Sequence, residues 1–139
     1  MSFPFLSPEW VAAYKEAINA NPEYRTGAAD WTHGVVALIV KAQPPALPED
    51  VGIWLDLDRG VCHDARLVAI AEAMTAPFCI TGEYARWKQV VRKELDPIKG
   101  MMQGKLRLKG DLPTIVRAVK AAQELVVSAG AVPTRFLDE

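Results

Sequence analysis

The sequence predicts one α+β domain over residues 1–139, in which a mixed, mostly antiparallel β-sheet is covered on one face by helices. Three observations carry that prediction. The apolar pattern switches between a period of two, as in Ile53, Leu55 and Leu57, and steps of three and four, as in Tyr84, Trp87, Val91 and Leu95. Asp58-Arg59-Gly60 joins two strand-like runs as a short, glycine-ending hairpin turn. Helix openings recur where a capping side chain stands next to a proline that the first turn tolerates: Ser7-Pro8, Asp96-Pro97, and Asp111 followed by Pro113. A chain of this length buries about 68–70% of the surface it exposes when unfolded, enough for a domain that needs no staples.

In chain order, Pro8 opens an amphipathic helix to about residue 20 on the stripe Val11, Tyr14 and Ile18, and Asn21-Pro22 ends it. Pro22 opens a shorter helix containing Tyr24 and Ala28, whose exit leads past Trp31 into the buried strand Val35–Val40. Pro44, Pro45 and Pro48 forbid a helix between Gln43 and Asp50 and favour an extended connection. Ile53, Leu55 and Leu57 alternate with Trp54, Asp56 and Asp58 in a half-buried strand, and the hairpin turn leads into Val61–Val68. Ala69–Ala76 fits either a continued strand or a helical turn. Phe78–Thr81 is a strand that Gly82 closes, and a helix from about residue 83 sets Tyr84 and Trp87 against the sheet. Asp96 then caps a short helix in which Ile98, Met101 and Met102 share an apolar face. Between Gly104 and Gly110 the pattern alternates strictly, with Leu106 and Leu108 on one side of the pleat and Lys105, Arg107 and Lys109 on the other. Asp111 caps a long last helix whose apolar face is Leu112, Ile115, Val116, Val119, Ala122 and Val126.

The run from Asp96 to Asp111 resembles the signature of the sterol carrier protein type 2 lipid-binding domain family, in which a helix feeds a Gly-Lys-Leu-x-x-x-Gly strand and then a long helix; here the strand is Gly104-Lys105-Leu106 to Gly110. The detailed likeness covers roughly residues 76–127, with a looser one before it in the order of hydrophobic strands. The resemblance implies a five-stranded mixed sheet with helices on one face, enclosing an apolar tunnel for fatty acyl, acyl-CoA or sterol-like lipids, with no catalytic centre. The expected function is non-enzymatic binding, and with it transfer, of such a lipid. Its walls are expected to include Trp87, Met101, Met102, Leu106, Leu108, Ile115 and Val119, with Gln103 as a weaker candidate for a ligand head group. Transfer of apolar ligand surface into such a cavity contributes about 25 cal/mol per Å². Met101 and Met102 suit the role because an unbranched thioether re-packs around differing ligands, although the same property makes methionine an ordinary core filler. The terminal helix is the expected lid, since an element at a chain end undocks at less cost than a central strand.

Charge and cysteine usage narrow the alternatives. Sixteen basic and 17 acidic residues give a net charge of −1, which argues against a nucleic-acid partner. The charge is polarised: residues 83–109 hold eight Lys or Arg against three Asp or Glu, a local balance of +5. That stretch could touch an anionic membrane surface, each basic residue contributing on the order of 1 kcal/mol, or its lysines could simply guard an edge strand. Cys62 and Cys79 lie in apolar runs without Cys-x-x-Cys spacing, as expected of reduced cysteines in a cytoplasmic protein, although one disulfide stays open. Met1–Leu6 lacks the pattern of a secretory leader, and no run approaches a membrane span. The chain ends Leu137-Asp138-Glu139, without the peroxisomal tripeptide found on eukaryotic relatives.

Two other functions remain in view. One is an interaction or dimerisation module, including a homodimer, using the same apolar groove with Trp10, Trp54 or Phe136 exposed around it. The other is a small enzyme using a cysteine and a histidine. Cys62-His63-Asp64 does not supply the pair, because neighbours in a strand project to opposite faces. His33 or Cys79 would have to approach from elsewhere. Two histidines and two cysteines lack zinc-site spacing, Asp56 and Asp58 read as the polar side of a strand, and neither a dinucleotide fingerprint nor a phosphate loop occurs, so no metal or cofactor is expected.

Overall fold

The computed structural model describes residues 2–139; Met1, the first residue of the stretch read above for a leader, lies outside them. The elements run β1 (Phe3–Pro4), α1 (Pro8–Ala20), α2 (Pro22–Gly27), β2 (Val36–Lys41), β3 (Val51–Asp58), β4 (Val61–Val68), α3 (Ile70–Ala73), β5 (Phe78–Glu83), α4 (Tyr84–Val91), α5 (Pro97–Met102), β6 (Arg107–Lys109), α6 (Leu112–Arg117), α7 (Val119–Ala131) and β7 (Thr134–Arg135). Five strands form one open sheet in the order β4-β3-β2-β5-β6. All its pairings are antiparallel except β2 with β5.

Register decides what faces the helices. Leu38 pairs with Ile53 on one side and Ile80 on the other, and Val36 pairs with Leu55. Because side chains alternate across a strand, Val36, Leu38, Val40, Ile53, Leu55, Leu57 and Ile80 project together toward one face. The main core forms there, between this face and helices α1, α2 and α4–α7. The opposite face carries Ala37, Ile39 and Cys79 and is covered in part by Ala73 of α3 and by Ala76 just after it, so the ambiguous segment 69–76 contains one helical turn on the sheet's second side.

Three devices fix the ends of this assembly. Arg59 and Gly60 both have positive φ, 48° and 85°, the signature of a type I′ hairpin turn. A Cβ on Gly60 would lie 2.5 Å from the Arg25 carbonyl oxygen, so the glycine lets the hairpin tip dock beneath α2. Gly82 lies inside β5 rather than closing it, and its lack of a side chain makes room for Leu106, whose Cδ2 a Cβ would meet at 2.5 Å. Finally, β1 and β7 pair in parallel, tying the chain ends together.

The last helix departs from the sequence expectation. It breaks at Ala118 (φ −98°, ψ 35°), so the expected face holds only in part: Ile115 of α6 and Ala122 and Val126 of α7 still turn toward the same interior space. Leu112, Val116 and Val119 are exposed, and Ala121 and Ala129 are buried in their place. Nor is the C-terminal end of α7 free to lift as a simple lid. Beyond it Phe136 is buried, and Leu137 N–H donates to Tyr84 Oη while Tyr84 Oη donates to Asp138. The ammonium of Lys88 bonds both Asp138 and Glu139 and holds their carboxyls below the usual range.

Candidate functional site

Between the sheet and the helices lies a cavity of about 110 Å³. Its floor is the set of β2, β3 and β5 side chains named above, and its roof comes from α1, α2 and α4–α7. No lining residue is charged. Four of the aromatic groups in the wall keep their polar ends occupied elsewhere. Trp10 Nε1 donates to Thr134 Oγ1 at 2.8 Å, Tyr14 Oη to the Leu125 carbonyl at 3.0 Å, Trp31 Nε1 to the Gly34 carbonyl at 3.0 Å, and Trp87 Nε1 to the Ile39 carbonyl at 2.9 Å. A wall of this kind repels ions and offers apolar contact along its length.

A second, polar hollow of about 290 Å³ adjoins the cavity. Gly27, Ala28, Asp30, His33, Thr114 and Arg117 line it, and it shares Trp31, Ala118 and Ala121 with the cavity. The break at Ala118 therefore falls where the two spaces meet. Trp31 stands at that junction, held by its Nε1 bond and packed edge-on against His33 at 4.9 Å between centroids.

Three of the residues picked from sequence, Trp87, Met101 and Ile115, lie in the cavity wall. The others do not. Successive helix positions turn by about 100°, so when Met101 faces inward Met102 faces water, and it is 68% exposed. Gln103 is the exposed C-cap of α5. Leu106 is fully buried but fills the joint between Gly82 and Gly100 instead of the cavity. Leu108 is half-buried on the edge strand opposite Ile80. Val119 is exposed because the helix break rotates it away. The floor residues and Tyr14, Tyr24 and Trp31 were missed, although the alternation in Ile53–Leu57 marked the face to which the floor belongs.

The helix α7 is registered against α1 and α2 by a buried polar cluster that the apolar stripe did not reveal. Asn21 Oδ1 accepts from the N–H groups of Glu23 and Tyr24, while Nδ2 donates to Glu124 Oε1 and Ser128 Oγ, both at 3.1 Å. Glu124 and Ser128 are the buried polar residues of the core.

The features that would favour a catalytic cysteine or an exposed interaction groove are placed otherwise. Burial pushes the Cys62 thiol up to about 11, the reverse of thiolate activation, and His63 is exposed on the other side of β4. Cys62 belongs to the helix-covered core and Cys79 to the opposite face, and both are free thiols. Trp10 and Phe136 are buried, and Trp54 lies under the Arg66 guanidinium at 5.5 Å. Among the described residues no group of three His, Cys, Asp or Glu could hold a metal, and no helix is long and apolar enough to cross a membrane.

Known proteins match this architecture. The family model of the SCP-2 sterol transfer family matches residues 14–123. A crystal structure of sterol carrier protein 2 superposes with a TM-score of 0.83 at 34% identity, covering 92% of this chain and 98% of its own. The solution structure of a Thermus thermophilus protein, described as a possible sterol carrier protein, also gives 0.83 at 34% identity, covering 97% and 94%. The fold recurs at 15% identity in sterol carrier protein 2 of Aedes aegypti, solved with the C16 fatty acid palmitate (TM-score 0.52, covering 86% and 93%). No curated protein sequence matches this chain significantly. With a family match over most of its length and a third of its residues identical to a sterol carrier protein 2 of the same fold, the chain belongs to the SCP-2 sterol transfer family.

Proposed function

We propose that this protein binds one lipid molecule without chemical change, its apolar part in the cavity between sheet and helices. The observation that carries the reading is the uncharged, almost wholly apolar wall, which offers a hydrocarbon chain favourable contact and an ion no partner. Membership of the family implies lipid binding or transfer, and the palmitate complex of the mosquito protein is a fatty-acid example on this fold. The lipid passes through the polar hollow, where Trp31 and the Ala118 break separate water from the apolar space. A charged or bulky head group, a carboxylate or a coenzyme A thioester, stays in that hollow beside Arg117 and His33. If transfer involves anionic membranes, Arg107 on the edge strand and Lys105 just before it are among the cations free to touch them. Both are exposed and form no ion pair among the described residues, whereas Lys88 and Arg92 are bound to the C-terminal carboxylates and Lys109 donates to the Met74 carbonyl.

Native mass spectrometry tests this. Delipidated protein incubated with palmitate gains the mass of one fatty acid, and protein taken directly from cells carries lipid of comparable mass. Protein that never binds any acyl lipid under these conditions contradicts the proposal.

A further inference from the structure

One polar group in the cavity wall is unlike the rest. Tyr24 lines the cavity and is only 1% exposed, yet its hydroxyl forms no hydrogen bond with any described residue. Every fully enclosed side-chain nitrogen or oxygen in the described residues has a partner. The Tyr24 oxygen is therefore not fully enclosed: it borders open space, and the space that this buried ring adjoins is the cavity. Tyr14, which lines the same cavity, differs in this respect, since its hydroxyl is committed to the Leu125 carbonyl.

The position of Tyr24 is fixed on all sides. Its own N–H is capped by Asn21 Oδ1, α2 is packed against α7, and the side chain is among the most deeply buried in the protein. Burial, reinforced by the nearby Cys62 thiol, pushes the phenol above its usual range, so it remains a neutral O–H over physiological pH. An unmet buried hydroxyl is costly in an empty cavity and is relieved when a ligand brings an oxygen to it.

Building on the proposed lipid-binding role, we infer that the Tyr24 hydroxyl is a specificity element that selects lipids carrying one uncharged oxygen, an alcohol or a carbonyl, over hydrocarbons of the same size. The oxygen is uncharged because the wall has no cation to compensate an anion. A site that presents a lone donor discriminates against an analogue lacking the matching group, because the donor is then left unpaired.

The experiment compares wild-type protein with the Tyr24→Phe variant, each delipidated, using displacement of bound anilinonaphthalenesulfonate by dodecan-1-ol and by dodecane. Phenylalanine keeps the ring and removes only the hydroxyl. Affinity for dodecan-1-ol is expected to fall about three- to tenfold in Tyr24→Phe, the scale of one neutral hydrogen bond, with that for dodecane held within about twofold. Thermal unfolding supplies the second readout. Empty Tyr24→Phe protein melts at or above the wild-type temperature, since no internal bond is lost, whereas Tyr14→Phe melts below it. Wild-type protein that binds both lipids, with Tyr24→Phe unchanged toward both or weakened equally, overturns this inference and leaves the lipid-binding proposal standing. A clear drop in the melting temperature of empty Tyr24→Phe overturns it too, by showing an internal partner for the hydroxyl. Wild-type protein from which neither lipid displaces the probe overturns both.

Discussion

Met101→Trp is expected to weaken binding of a C16 fatty acid more than tenfold, and Met102→Trp to leave it unchanged. The two residues are neighbours of the same type, so the contrast isolates position. Met101 forms part of the cavity wall and Met102 is 68% exposed. An indole at 101 occupies space the ligand needs, and each methylene it excludes forfeits about 0.8 kcal/mol, so the loss of two corresponds to a factor of about ten. Because the new ring enters a void, its cost to folding is smaller than the roughly 1–3 kcal/mol typical of overpacking a filled core. Fluorescent fatty-acid titration read beside thermal unfolding checks this. Retained binding in Met101→Trp with a large loss of stability would show that the residue sits in packed core.

Asn21→Ala is expected to destabilise the protein by about 2–4 kcal/mol. Two costs combine at one side chain. Loss of the cap that receives the Glu23 and Tyr24 N–H groups costs about 0.5–2 kcal/mol. Withdrawal of the Nδ2 donor leaves Glu124 and Ser128 short of a partner inside the core, which costs about 1–3 kcal/mol. Lys120→Ala provides the contrast. It breaks the surface side of the same cluster, where a lysine whose side chain is 54% exposed bonds Glu124 at 3.2 Å, and such a pair contributes about 0–1 kcal/mol. Urea unfolding of the two variants measures the difference. Equal, small effects would mean that Asn21 does not hold α7 in place.

The sheet was legible in the sequence because each strand wrote its own signal. Ile53, Leu55 and Leu57 named the buried face by alternation, and the turn Asp58-Arg59-Gly60 announced the hairpin that the positive φ values of Arg59 and Gly60 make. Caps did the same for α1 and α5, where Ser7 and Asp96 each accept from the first turn as their residue types suggest, whereas Asn21, read only as the end of α1, also caps α2. The short pairing of β1 with β7 was not legible, since two-residue strands leave no period to detect. The break at Ala118 was hidden too. Alanine is the strongest helix former, so nothing local marks the interruption, and a stripe drawn straight through it placed Leu112, Val116 and Val119 on a face they do not share with Ile115.

The candidate site was legible only in part for a related reason. A cavity is a property of surfaces brought together from distant segments, and sequence periodicity reports one segment at a time. Trp87, Met101 and Ile115 were accessible as inward positions of recognisable helices. Leu106 also points inward, and only the third dimension shows that Gly82 and Gly100 have made room for it elsewhere. Tyr24 gave no local sign of its importance, because an unpaired hydroxyl is defined by every group that fails to reach it.

A chain-length series tests the central claim, that apolar transfer into the cavity drives binding. Saturated fatty alcohols of rising length are titrated into delipidated protein, holding the head group constant. Affinity is expected to tighten by about tenfold for every two carbons, from about 0.8 kcal/mol per methylene, until the cavity is full, and then to level off or fall. Affinity that stays flat across the series would place recognition in a local polar contact and contradict the account.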